Sequence, residues 1–223
     1  MVADHKLGSQ LNKWRVSPRH FEQQLQALYE GKWHVMTMSE MMQCSDPIPK
    51  KTVILTFDDG FANVFDFAFP LLKKYQFKST HYLLSGCSEN DWDAHKDSQR
   101  DPLLKPSQIQ AMIDSGLVEI GVHGHTHAPL TDLNGHDVVN EITLAKQQLE
   151  SDYHIQCHSF AYPFGRYDKH VIQAVQACGF DHALAVGNRA YNPMKDNRFS
   201  IPRLTIHGHK SHIIRFKLTM LRG

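Results

Sequence analysis

Short apolar runs alternate with longer amphipathic stretches along most of the chain. Residues 53–57 form a continuous apolar run, which is typical of a strand buried on both faces of a parallel sheet. Similar runs predict strands over residues 79–84, 117–122, 159–162, 183–186 and 201–206. Amphipathic spacing predicts helices over residues 19–29, 61–75, 107–115, 138–153 and 168–178. Strands that alternate with helices predict an α/β fold with a parallel sheet, either open or closed into a barrel.

Capping residues mark the limits of several predicted helices. Ser17 and Pro18 stand where an N-cap and a first-turn proline belong, and Gly179 follows the last predicted helix as a C-terminal cap. Pro70 lies inside the second predicted helix and indicates a bend or a restart. The chain contains no repeat, low-complexity tract or Gly/Ser linker. We therefore expect one domain over residues 17–223, preceded by an N-terminal extension over residues 1–16.

Composition narrows the class of protein. The chain has 223 residues and a formal net charge of +1, which argues against a nucleic-acid partner. No apolar stretch approaches the length of a membrane span, and the first residues lack the apolar region of a signal peptide. We expect no transmembrane segment and a cytoplasmic location, or a secreted or periplasmic one if a leader has been trimmed. The four cysteines lie far apart in sequence, so we expect them to be reduced and structural.

Polar clusters follow the predicted strands at their carboxyl ends. They comprise Asp58-Asp59, the segment from His123 to His127, Phe164-Gly165, and His207. In α/β folds this edge of the sheet is where active sites assemble. The chain has 16 histidines, so position rather than number must identify the functional ones.

The adjacent carboxylates of Asp58 and Asp59 are the first candidate for chemistry. Two such groups after a buried strand are costly unless a positive charge compensates them, and a metal cation does this well. One carboxylate would then bind the metal while the other acts as a base. The alternative is a turn or a helix N-cap, because Asp favours both.

His123 and His127 are the second candidate. Two imidazoles four residues apart can converge on one ion, and a carboxylate completes a set of three protein ligands. His125 lies between them and either faces the other way or competes as a ligand. A His-rich surface turn is the alternative. The same set of ligands holds ferrous iron in oxygenases, but a second carboxylate at Asp58 favours hydrolysis, since a metal-bound water needs a base.

Three motifs resemble the signatures of a known family. Residues 55–60, Leu-Thr-Phe-Asp-Asp-Gly, resemble the first signature of the polysaccharide deacetylases, the NodB-homology group known as carbohydrate esterase family 4. Residues 119–127 resemble the second, whose core is His-Ser/Thr-X-X-His, with Gly124 where Ser or Thr is usual. Residues 160–165, Phe-Ala-Tyr-Pro-Phe-Gly, resemble the third in the form of the poly-N-acetylglucosamine deacetylase branch. The motifs occur in the expected order within residues 17–207.

The resemblance implies a single-domain NodB-like fold, a distorted barrel of about seven β/α units. It implies Asp59, His123 and His127 as metal ligands and Asp58 as general base. It also implies that the backbone N–H of Phe164 stabilises the oxyanion. The metal is divalent; zinc is expected first, with nickel, cobalt, manganese and iron as alternatives.

The chain departs from the family at two further positions. Many members carry Arg where this chain has Ala161, and Arg203 is our candidate to supply that charge beside Asp58. The last family motif places a histidine as general acid after a strand, in a Leu-X-His pattern that Thr205-Ile206-His207 matches only in part. His207 is our choice for that role, with His209 as its competitor.

The activity implied by the resemblance is removal of an N-acetyl group from an N-acetylated sugar, whether a polysaccharide, an oligosaccharide or a glycan intermediate. A deformylase or a non-sugar amidase on the same scaffold is the first alternative. A catalytically silent carbohydrate-binding protein is the second, and an iron oxygenase ranks last. The sequence leaves the oligomeric state open.

Overall fold

The computed structural model describes residues 1–6, 9–45, 47–93, 96 and 100–206. The helices within these residues are α1 (Pro18–Glu30), α2 (Met38–Gln43), α3 (Phe69–Tyr75), α4 (Pro106–Asp114), α5 (Gly135–Tyr153) and α6 (Lys169–Ala177). The strands are β1 (His34–Met36), β2 (Thr52–Ile54), β3 (Thr56–Phe57), β4 (Ser79–Leu83), β5 (Val118–Val122), β6 (Ser159–Ala161) and β7 (His182–Leu184). Within the described part of the chain, none of the helices combines the length and apolar character needed to cross a membrane.

The strands form two sheets. β1 and β2 pair in parallel, and the other five strands form a sheet in the order β3-β4-β5-β6-β7. The pairs β5–β6 and β6–β7 are parallel. Helices separate most of these strands along the chain. The α/β class is therefore confirmed, with seven strands among the described residues.

Three local predictions need correction. The run over residues 53–57 is divided at Leu55 between β2 and β3, which belong to different sheets. The strand predicted over residues 201–206 is reduced to a single parallel bridge between Ile201 and Leu184. The predicted helix over residues 61–75 begins as a π-helical turn, Val64–Ala68, which was not expected. The restart expected at Pro70 is confirmed, because Pro70 lies in the first turn of α3. A proline in the first turn lacks only an N–H that the helix would leave without a partner.

The chain divides into two compact units, which are described separately. The first contains residues 1–80 and 88–119 with Ile206 from the described part of the chain. In this unit α1 packs near α3, and Phe21 and Leu25 lie in the apolar core. Val2 and Val16 reach the same core, so the segment before α1 contributes to its packing. An extension that ends at residue 16 stays a prediction.

The second unit contains residues 81–87 and 120–205. Here α5 and α6 pack against each other and bury Ile142 and Val175. The ring of Phe160 in β6 contacts that of Phe180, with 5.4 Å between centroids. This core supports the carboxyl ends of β5 and β6, where the His-rich segment and the Pro-Phe-Gly turn begin.

Candidate metal centre

Three side chains that are remote in sequence offer ligand atoms to one point. A carboxylate oxygen of Asp59 and one ring nitrogen each of His123 and His127 lie within 4.8 Å of one another. Among the residues that the structure describes, this is the one group of three or more acidic, histidine or cysteine side chains that does so. Both imidazoles are buried, and Asp59 is half-buried. The structure thus brings together the residues from which we expected a metal site.

A tight turn after β3 carries Asp59. Asp59 and Gly60 both have left-handed backbones, with φ of 73° and 79°. Asp is one of the few side chains that accept this conformation, because its short polar group can bond locally. The segment around Pro102 lies along the turn: the Leu104 N–H donates to the Gly60 carbonyl at 2.7 Å, and the Ala62 N–H donates to the Pro102 carbonyl at 2.8 Å.

A buried ion pair holds the segment that lies along this turn. The side chain of Arg15 is fully buried, and its two terminal nitrogens each donate to a different oxygen of Asp101. The Lys6 ammonium lies 3.0 Å from the same carboxylate. A planar guanidinium matches a carboxylate in this paired geometry, which fixes position as well as charge. Sequence reasoning missed Arg15, because its partner is 86 residues away in the chain.

His123 begins the segment after β5 and is fixed at its ring. Its backbone N–H donates to the Leu83 carbonyl at 2.8 Å. Its ring nitrogen Nδ1 lies 2.7 Å from the carbonyl oxygen of Ala161. A carbonyl oxygen can only accept, so Nδ1 carries a proton and Nε2 is the ring nitrogen available to a metal. Metal-binding histidines are commonly oriented in this way by a hydrogen bond from the other ring nitrogen.

His127 and Phe164 lie against each other in strained turns. Both have positive φ, at 63° and 58°, which is uncommon for residues other than glycine. Their rings meet edge to face, with centroids 4.4 Å apart. Phe164 is the middle residue of the turn Pro163–Gly165, and the first N–H groups of a helical turn have no partner within it. A side chain at Gly165 would meet Val186 at 2.5 Å, so this turn requires glycine.

The residues between the two metal-ligand candidates bond elsewhere. The Nδ1 atom of His125 lies 2.8 Å from the Ser85 hydroxyl, and the group of three ligand atoms does not include His125. The backbone of His125 and Thr126 is bound by Glu141, a buried residue of α5. Sequence reasoning missed Glu141. Its position beside Val138 and Ile142 on the apolar face of a predicted helix was a usable signal, because a buried acid needs a partner.

For the other predicted site residues, the structure shows some of the expected contacts but not their predicted roles. Asp58 is half-buried between β3 and Asp59. Arg203 donates from Nε to the Ala185 carbonyl at 3.3 Å, and its guanidinium lies over the Tyr82 ring, 5.7 Å from the centroid. Its pairing with Asp58 stays a prediction. His207 and His209 lie outside the described residues, so the identity of the general acid also stays a prediction.

The donor set fits a divalent metal. Ligands about 2.1 Å from one zinc ion are at most about 4.2 Å apart, so the observed group needs only small side-chain movements to close on an ion. One carboxylate oxygen and two imidazole nitrogens are ordinary ligands of zinc and of its neighbours in the first transition row. The hydrogen bond from Nδ1 to the Ala161 carbonyl orients the His123 ring so that Nε2 would be the ligand atom.

Comparison with known proteins finds one matching family model and relatives that cover most of the chain. Residues 45–183 match the family model "Polysaccharide deacetylase". The chain is 28% identical to the putative polysaccharide deacetylase YxkH of Bacillus subtilis over 76% of its own length and 58% of that protein. It is 25% identical to the poly-β-1,6-N-acetyl-D-glucosamine N-deacetylase of Staphylococcus epidermidis over 89% of its own length and 70% of that protein.

Solved structures confirm the fold. The deacetylase PplD of Streptococcus pyogenes superposes with a TM-score of 0.85 at 21% identity, over 98% of this chain and 94% of that one. IcaB from Ammonifex degensii superposes with a TM-score of 0.81 at 21% identity, over 98% and 93%. The expected NodB-like α/β fold is therefore confirmed.

Proposed function

The chain belongs to the polysaccharide deacetylase family, and on this premise we propose that it is a metal-dependent hydrolase that removes the acetyl group from an N-acetylated sugar. The observation that carries the proposal is the convergence of the Asp59, His123 and His127 ligand atoms within 4.8 Å of one another. The products are acetate and a sugar with a free amine.

The three converging residues would hold the cation and leave positions open for water and substrate. When bound, a divalent cation polarises the acetamide carbonyl and lowers the pKa of a bound water. Zinc is the first expectation for one carboxylate and two imidazoles, and nickel, cobalt, manganese and iron are the alternatives.

The remaining roles fall to residues beside this group. Asp58 takes a proton from the attacking water as general base, since it precedes Asp59 in the same turn. The N–H of Phe164 donates to the oxyanion, and the contact between its ring and that of His127 supports this position. His207, or His209 in its place, protonates the leaving amine. Arg203 pairs with Asp58 and fixes its orientation.

An N-acetylglucosamine polymer is the substrate class we propose. Support comes from the staphylococcal relatives, whose names state poly-β-1,6-N-acetyl-D-glucosamine as their substrate. The chain spans only 58% of the Bacillus relative, so the activity of a whole protein is part of the proposal. The location, cytoplasmic or, if a leader has been trimmed, secreted or periplasmic, also stays a proposal.

Metal content and acetate release test the proposal together. The chain loaded with zinc should release acetate from β-1,6-linked N-acetylglucosamine oligomers. Asp58→Asn should keep its metal and lose about 10²- to 10⁴-fold in turnover, since general bases contribute that much. His127→Ala should lose the metal itself. Full activity of Asp58→Asn would remove that residue from the base role, and release of formate from formylated substrates alone would favour a deformylase.

A further inference from the structure

Glu141 is a buried carboxylate, and its hydrogen-bond partners in the described part of the chain all belong to the His-rich segment. The residue is 8% exposed and lies in α5. One carboxylate oxygen, Oε1, accepts from the N–H of His125 at 2.9 Å and from the N–H of Thr126 at 2.5 Å. The Thr126 hydroxyl lies 3.0 Å from Oε1 and 3.1 Å from Oε2.

Neutral hydrogen-bond donors of this segment, rather than a cationic side chain, contact the Glu141 carboxylate among the described residues. Among the described residues, no lysine or arginine forms an ion pair with it. A buried carboxylate is costly unless hydrogen bonds satisfy it. Glu141 therefore holds Thr126 in place. The segment must keep this backbone conformation for its N–H groups to reach the carboxylate.

The next residue in the chain is His127. Its backbone is left-handed, so its ring position depends on the residues that hold the turn on either side. Glu141 fixes Thr126 on one side, and the Phe164 ring lies against the imidazole on the other. Gly124 completes the arrangement, because a Cβ there would lie 3.2 Å from Oε1 of Glu141.

We propose that Glu141 is a positioning residue that holds His127 for metal binding, and that its negative charge strengthens the binding of the divalent cation. The inference rests on the metal site of the proposed function. Residues that orient metal ligands from behind typically contribute about 10- to 100-fold in metal affinity. The charge distinguishes this role from simple packing, because an isosteric neutral side chain would preserve packing but not affinity.

Zinc affinity of the full chain tests this role with a matched control. Glu141→Gln keeps the size of the side chain and removes its charge. Glu150→Gln makes the same change on the same helix, where Glu150 accepts from the Cys157 N–H at 2.9 Å and pairs with Lys146 instead. Competition with a chromophoric chelator gives the zinc dissociation constant, and thermal melts of the metal-free proteins give their stability. We expect Glu141→Gln to bind zinc about 10- to 100-fold more weakly, while Glu150→Gln binds as the unaltered chain does.

A second variant covers the case in which Glu141→Gln does not fold. Thr126→Val removes the hydroxyl bonds and keeps Glu141, and we expect about fivefold weaker zinc binding. Unchanged zinc affinity in Glu141→Gln, or in Thr126→Val if the first variant cannot be prepared, would overturn the proposal. Failure of the unaltered chain to bind zinc or another divalent metal would instead overturn the proposed function.

Discussion

Asp59, His127 and Phe164 share a left-handed backbone although none of them is glycine. Each such residue costs about 1–3 kcal/mol unless its surroundings hold it, and such strain concentrates at functional sites. All three belong to the candidate metal centre or contact it. The pattern of apolar and polar positions carries no information on the φ of an individual residue, so this shared conformation could not be predicted.

The left-handed backbone of Asp59 allows charge and conformation to be separated. Asp59→Asn should keep the turn, since Asn also tolerates this conformation, and should lose the bound metal. Asp59→Val should lose the metal and in addition destabilise the metal-free chain by about 1–2 kcal/mol, because a β-branched residue resists positive φ. Metal content by elemental analysis and urea unfolding of both variants check this. Equal unfolding free energies for the two would contradict the strain.

The burial of His182 leads us to predict that the free energy of unfolding depends on pH. The residue is buried in β7, neither ring nitrogen has a hydrogen-bond partner among the described residues, and burial lowers its pKa to about 4. The unfolded chain has a pKa of about 6.5 at this residue and so binds the proton more readily. The free energy of unfolding should therefore be highest above pH 6.5 and fall as the pH drops toward 4, by up to roughly 3 kcal/mol.

Urea unfolding at pH 7.5 and 4.5 checks the role of His182. His182→Leu should lose less stability on acidification than the unaltered chain. His170→Leu, at an exposed histidine of α6, is the control and should keep the original pH dependence. The same loss in all three proteins would assign the effect to other groups.

Among the elements, those with local signals were predicted well. α1, α4, α5 and α6 lie within a few residues of their predicted limits, because helical periodicity and caps are local features. β4 to β7 also match predicted runs. The division of residues 53–57 between two sheets could not be predicted, because the apolar run is the same whichever strand it pairs with. β1 and α2 were missed because they have only three and six residues.

α2 nevertheless carries a readable start signal. The Thr37 hydroxyl accepts from the Glu40 N–H at 3.2 Å, and the Glu40 carboxylate accepts from the Thr37 N–H at 3.0 Å. This capping box satisfies two N–H groups that the helix leaves without partners. Thr37→Ala should lower the free energy of unfolding by about 1 kcal/mol, whereas Thr37→Ser should retain it. Chemical denaturation checks both variants, and equal losses would exclude the cap as the cause.

At the scale of the whole molecule, the three motifs in their order predicted the family and the three residues whose ligand atoms converge. It did not predict Arg15 or Glu141, which act on the motif segments from distant parts of the chain. Their partners are 86 and 15 or 16 residues away, and only the folded chain brings them together. Motifs identify the candidate metal ligands more readily than the residues that hold those ligands in place.

The pair of Arg15 and Asp101 predicts a large effect on stability. Asp101→Asn leaves a fully buried guanidinium without its full counter-charge, which should cost about 3–5 kcal/mol. Asp196→Asn breaks an ion pair with Arg189 that is largely exposed on the arginine side, and it should change stability little. Guanidinium chloride unfolding of both variants checks the contrast. A small loss in Asp101→Asn would mean that the pair does not hold the segment beside the Asp59 turn.

The space beside Gly124 has a consequence for protein engineering. Gly124 has a φ of 99°, and a Cβ there would meet the Glu141 carboxylate. A designer who averages homologous sequences would restore the more frequent serine or threonine at this position and expect a gain in robustness. The replacement would instead strain a backbone held at positive φ and bring its Cβ to 3.2 Å from Oε1 of Glu141, so consensus design must treat positions 124 and 141 together.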